Sequence, residues 1–176
     1  MKIAFDGTTL QPRRTGVGYY TEHLLYHLAD ITRDPDELVV ISNRAPVTSK
    51  PVSQRVQIHT SHPRMVRLAW MQAAAPGVLR DVDADVAHFT NGMIPLATRV
   101  PTVVTIHDVS LTLYPECHPK RRLLLNRPLV RMAAERAAAL DIGYVRLHGG
   151  VPTAKRGALI ERFRDDPDCQ LFFSTD

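Results

Sequence analysis

Three sets of residues have the types and the spacing to do chemistry. His107 and Asp108 close the run PTVVTIHD, whose Val103, Val104 and Ile106 read as a buried parallel strand covered on both faces. Open α/β sheets bind ligands beyond the carboxyl ends of their strands, so this His-Asp pair is expected on the active-site edge. His88, Thr90 and Asn91 end the preceding strand and are expected at the same edge. There an imidazole can bond a hydroxyl, and a carboxylate can orient it. The third set is Arg13-Arg14-Thr15-Gly16-Val17-Gly18, between the first strand and the first helix. Amides at a helix N-terminus attract anions, and Gly16, Val17 and Gly18 would let a phosphate approach the chain closely.

Each set also has a structural reading. A His at a strand end is often only a packing residue. The Gly pair lacks the third Gly of a dinucleotide fingerprint and the Lys-Ser/Thr of a Walker loop, so spacing alone leaves open a Gly-rich helix start that binds nothing. Glu116, Cys117 and His118 are adjacent on a loop and cannot easily converge on one ion, so no metal is expected. Cys117 and Cys169 match no metal or redox spacing and read as reduced thiols.

The elements that must position these residues alternate between strand and helix. Lys2 to Phe5 reads as a strand closed by Asp6 and Gly7, and a helix capped by Thr15 runs to about Ile31, with Val17, Tyr20, Leu24, Leu25 and Leu28 at helical spacing. Strands follow at Leu38 to Ser42, Arg55 to His59 and Asp85 to Phe89. A helix from about Pro63 to Leu79 carries Trp70 and is ended or bent by Pro76-Gly77. After PTVVTIHD comes helix from Pro119 to Leu140, kinked at Pro128. Repeated βα units imply α/β class, a doubly wound parallel sheet with right-handed crossovers.

Bulk properties set limits. The chain has 176 residues, 44% of them hydrophobic, enough for one domain with an appendage. MKIAFDG is too short for a secretory h-region and no apolar run approaches a membrane span, so a cytoplasmic protein is expected. The net charge of +4 is concentrated between Lys120 and Arg136, where six basic residues face the single acid Glu135. Such a run suits phosphate groups, anionic lipid or nucleic acid, or is simply a solvated helix face.

MKIAFDG, RRTGVGYYTEHLLYHLA, DVAHFTNGMIP, PTVVTIHDVSLTLYPECHP and the helix ending RMAAERAA, in this order, resemble the N-terminal half of a family-four retaining glycosyltransferase with the GT-B fold. The resemblance covers residues 1–139 and implies a Rossmann-like, acceptor-side domain that closes over a nucleotide-sugar donor bound mainly by a second half. It implies hexose transfer to a polysaccharide or lipid-linked acceptor, with no cofactor and no metal. Gly16, Val17 and Gly18 match the family's loop near the donor phosphates. His107 matches the His that contacts the transferred sugar, followed by Asp108, and His88, Thr90 and Asn91 match the acceptor side. Amide donors suit a departing diphosphate, and polar orienting groups suit an oxocarbenium-like sugar in a dry cleft.

Residues 140–176 depart from that pattern. DIGYVRLHGGVPTAKRGALIERFRDDPDCQLFFSTD resembles part of the C-terminal RecA-like lobe of Swi/Snf-type helicase-like ATPases, a second segment joined near Ala139 as in a fused or rearranged frame or a chimeric assembly. It reads as an extra βαβ unit: strand at Tyr144 to Leu147, helix capped by Thr153, strand at Cys169 to Phe173. No Walker loop occurs in the chain, so ATPase function cannot be assembled from it. The expectation is a glycosyltransferase fragment lacking its donor-binding half and inactive alone, cytoplasmic or docked on an anionic inner membrane face, with nucleic acid not an expected partner. The rival expectations are a helicase-like fragment that binds nucleic acid and a noncatalytic module that holds a phosphate-bearing ligand.

Overall fold

The computed structural model describes residues 1–62, 64–107, 115–117, 119–120, 123–124, 128, 132, 143–148, 158 and 169–175. The chain divides into two compact units, Met1–Thr90 with Ile94–Val103, and Asn91–Met93 with Val104–Asp176.

In the first unit β1 (Lys2–Asp6) leads into α1 (Gly16–Ile31), followed by β2 (Glu37–Ser42), β3 (Gln57–Thr60), α2 (Arg67–Ala73), α3 (Ala75–Asp81), β4 (Val86–Phe89) and β5 (Thr102–Val104). The strands form a five-stranded sheet of order β3-β2-β1-β4-β5, all parallel and flanked by helices, consistent with a Rossmann-like fold. The order reverses between β1 and β4, which makes their carboxyl ends the switch point where such sheets hold ligands.

Burial explains why these segments are strands. Phe5, Leu38 and Val40 form one core cluster with Leu10, Leu25, Ala29 and Val56, and the alternate residues Ala4, Val39 and Ile41 are buried as well. Both faces of the central strands are therefore covered, as their continuous apolar runs require. Trp70 is wholly buried and donates its indole N–H to Ser61 Oγ at 3.1 Å. Each such side chain contributes about 1.5–3 kcal/mol of transfer free energy, so the sheet and its apolar cover hold this unit together.

Several expectations need correction. The unbroken apolar run of PTVVTIHD suggested a longer strand covered on both faces, yet among the described residues β5 spans only Thr102–Val104, is the last strand in the sheet order, and leaves Val103 40% exposed. One helix was expected from about Pro63 to Leu79, ended or bent at Pro76-Gly77. Two are found, broken at Ala74, with Pro76 in the first turn of α3 where its missing N–H costs nothing. Thr15 occupies the N-cap position of α1, but its side chain makes no cap hydrogen bond. The buried face of α1 is Gly18, Thr21, Glu22, Leu25 and Ala29, while Tyr20 is exposed and Leu24 and Leu28 only flank the core.

In the second unit β6 (Gly143–His148) and β7 (Cys169–Thr175) pair in parallel, with a register shift at Gly143/Tyr144. The helix expected between them lies outside the described residues except for Ala158, which is helical and exposed; Asp108, His118 and most of the expected basic helix lie outside them too. No helix among the described residues is long and apolar enough to cross a membrane.

Candidate functional site

The carboxyl ends of β1 and β4 and the start of α1 meet through a run of hydroxyls. Thr9 Oγ1 donates to Thr21 Oγ1 at 2.8 Å, and Thr21 Oγ1 reaches both the Val17 carbonyl oxygen (2.8 Å) and Thr90 Oγ1 (3.0 Å). Thr90, the first residue after β4, is wholly buried, and its hydroxyl points back to the Asp6 carbonyl oxygen at 3.5 Å. One sequence-expected residue, Thr90, is thus tied to the helix that begins at Gly16. The sequence reading passed over its partners Thr9 and Thr21.

Asp6 ends β1 and is 1% exposed. Its Oδ1 accepts the Thr8 amide (2.9 Å) and the Thr8 hydroxyl (2.6 Å), which folds the chain back into an Asx-type turn. Its Oδ2 is buried without a hydrogen-bond partner. Burial raises its pKa above the ordinary aspartate value, against the opposing pull of Thr8 and of the Arg67 charge at the start of α2. An elevated carboxylate at a sheet's switch point is the kind of perturbed group that marks functional sites.

The two glycines at the start of α1 differ. A Cβ on Gly18 would lie 3.0 Å from the Thr9 carbonyl oxygen and 3.3 Å from Arg14 Cβ, so this glycine lets the β1–α1 connection pack on the helix. A Cβ on Gly16 would meet nothing within 4 Å. The surface over the first turn is open there, with no capping side chain and no acidic residue in that turn. Val17 is half-buried between them.

The paired arginines also divide. Arg14 is turned into the fold: Nη1 binds Glu22 Oε2, Nη2 donates to the Val47 carbonyl oxygen at 2.9 Å, and the guanidinium stands 5.8 Å from the Tyr19 ring centroid. Arg13 is exposed, with no ion-pair partner among the described residues. Glu22 escaped the sequence reading, although it falls in the same helical arc as Gly18 and Leu25.

His88 lies inside β4, opposite Phe5 in the ladder, with its ring edge-on to the Phe5 ring at 5.8 Å and 87°. Burial lowers its pKa to about 4, so it is a neutral imidazole at neutral pH. Asn91 and His107 belong to the second unit and are half-buried. Next to them the Gly92 amide, from a residue with φ 62, donates to the Thr105 carbonyl oxygen at 2.8 Å, joining the chain after β4 to the chain after β5. Gly16, Val17, Gly18, His88 and Thr90 belong to the first unit. No group of three His, Cys, Asp or Glu side chains among the described residues could hold a metal ion.

Compared with known proteins, the chain matches no family model, no curated protein and no solved structure.

Proposed function

We propose that the chain is the acceptor-side half of a GT-B retaining hexosyltransferase, joined to a short helicase-like segment over residues 140–176. The reading rests first on the ordered motifs of residues 1–139. The observation that carries it is the start of α1 at the switch-point strand: an uncapped first turn without an acid, open space at Gly16, and an exposed Arg13 beside it. First-turn amides and one exposed cation suit the diphosphate of a nucleotide sugar.

In this reading Gly16, Val17 and Gly18 face the donor phosphates, Gly18 also serving the packing of the turn. Thr90 and Asn91 follow β4 on the acceptor side. By the same resemblance His88, a neutral ring, belongs with the acceptor side, and His107 orients the transferred sugar, followed in the sequence by Asp108. The acceptor is a polysaccharide or a lipid-linked sugar, and the basic residues from Lys120 favour an anionic surface at the cytoplasmic membrane face. By the same resemblance the donor is held mainly by a second half, so the 176-residue chain is expected to show negligible sugar transfer.

Calorimetry with a nucleotide sugar tests the assignment. Weak binding is expected, lost in Gly16→Val and in Arg13→Gln; equal heats in both variants would remove these residues from the site. Robust sugar transfer by the purified chain would overturn the expected incompleteness. A noncatalytic phosphate-binding module is the second reading, favoured by the position of the open helix start and Arg13 within one compact unit. Binding that persists without transfer after a donor-binding half is supplied would favour it.

A further inference from the structure

The loop between β2 and β3 crosses α1 without the apolar anchoring that holds the rest of its unit. Val52 and Val56 pack on the core at its far end, whereas residues 44–50 bury no hydrophobic side chain, and Val47 is 40% exposed. What fastens this stretch is polar and converges on one carboxylate. Glu22, 2% exposed, accepts the Ser49 amide and the Ser49 hydroxyl (3.0 Å) on Oε1 and Arg14 Nη1 on Oε2. Tyr26 Oη lies 3.2 Å from Glu22 Oε1, accepts the Lys50 amide at 2.8 Å and reaches the Lys50 carbonyl oxygen at 2.9 Å. Arg14 holds the Val47 carbonyl oxygen at 2.9 Å, and the Val47 amide reaches the Leu10 carbonyl oxygen at 2.9 Å.

We propose that residues 44–50 are a strap locked by the negative charge of Glu22, which opens as a unit when that charge is removed while the parallel sheet stays folded. The groups facing the carboxylate are Arg14 from the β1–α1 connection, Tyr26 from α1, and Ser49 from the strap. Without the charge, Arg14 is an uncompensated cation with a side chain only 9% exposed, and it leaves for water together with its hold on Val47. Segments with few buried apolar contacts open locally, below the cost of global unfolding. The Arg14 guanidinium also stands 5.8 Å from the Tyr19 ring centroid in the first turn of α1, so strap and helix start border one cation.

Burial pushes the Glu22 carboxyl up, but the Ser49 donors, the Tyr26 hydroxyl and the Arg14 charge together hold it below the ordinary glutamate value. The lock is therefore present above the ordinary value and is lost as pH falls through the lowered folded one.

Amide hydrogen exchange tests this on the whole chain, with Glu22→Gln at neutral pH and the natural chain followed down an acid pH series, through the loss of the Glu22 charge, as a second arm that needs no substitution. In both, protection of the Ser49 and Lys50 amides should fall roughly 10- to 100-fold while Phe5 and Val40 keep theirs. Unchanged Ser49 and Lys50 protection in either arm would overturn the proposal. Loss of Phe5 and Val40 protection together with the loop would overturn it too, because the carboxylate would then hold the whole unit rather than a strap.

Discussion

Asp6 and Glu22 are buried carboxylates of the same compact unit, and their surroundings drive them in opposite directions. Glu22 is saturated with donors: a guanidinium, an amide and two hydroxyls outweigh the loss of water. Asp6 has Thr8 on one oxygen and nothing on the other, and burial prevails. Burial prevails at Asp6 and the donors prevail at Glu22. A satisfied charge is a fastening. An unsatisfied one at the carboxyl end of the switch-point strand is a reserve of polarity, which is where ligand sites are built.

The largest expected effect comes from breaking the satisfied member. Glu22→Ala removes the carboxylate that fastens Arg14 and the strap and should cost about 3 kcal/mol in urea unfolding, the low end for breaking a buried pair because Arg14 can reach water. Gly7→Val comes next, because a Cβ there would lie 2.6 Å from Val40 Cγ1, and overpacking beside the Asp6 turn should cost about 1–3 kcal/mol. Asp6→Asn should do the reverse of Glu22→Ala and raise stability at neutral pH by about 1 kcal/mol, since no charge is then buried. The two acids also give opposite pH slopes. The Asp6 contribution is greatest below the ordinary aspartate value and is lost as pH rises toward the elevated folded value. The Glu22 contribution is lost as pH falls. Stability curves of Asp6→Asn and Glu22→Gln should each remove one slope, and a natural chain with neither slope would sink the comparison. Smallest is the contrast of the glycines. Gly18→Ala should destabilise by about 1 kcal/mol through contact with the Thr9 carbonyl, and Gly16→Ala should stay within about 0.5 kcal/mol, as thermal melts would show.

The parallel sheet was legible because ELVVIS and KIAFD are apolar on both faces, a pattern that only a covered strand carries. The same rule overreached at PTVVTIHD, where the described strand is three residues long and Val103 is 40% exposed, so an apolar run alone fixes neither the length of a strand nor its cover. The face of α1 was misread because Thr21 and Glu22 were set aside as polar, although they share the buried arc with Gly18, Leu25 and Ala29. Their partners, Thr90 at sixty-nine residues from Thr21 and Ser49 at twenty-seven from Glu22, are too distant in sequence for any local spacing to announce them. Gly16 and Gly18 were read as one motif, and only the space around each separates an open surface from a packing contact.

Backbone-amide NMR during titration of the chain with a nucleotide sugar tests the functional reading most directly. The reading expects shifts concentrated at Gly16, Val17 and Gly18 and at Thr90, with the β2–β3 side of the sheet silent. Shifts confined to other surfaces, such as the basic residues from Lys120 onward, or no shifts at all, would contradict it.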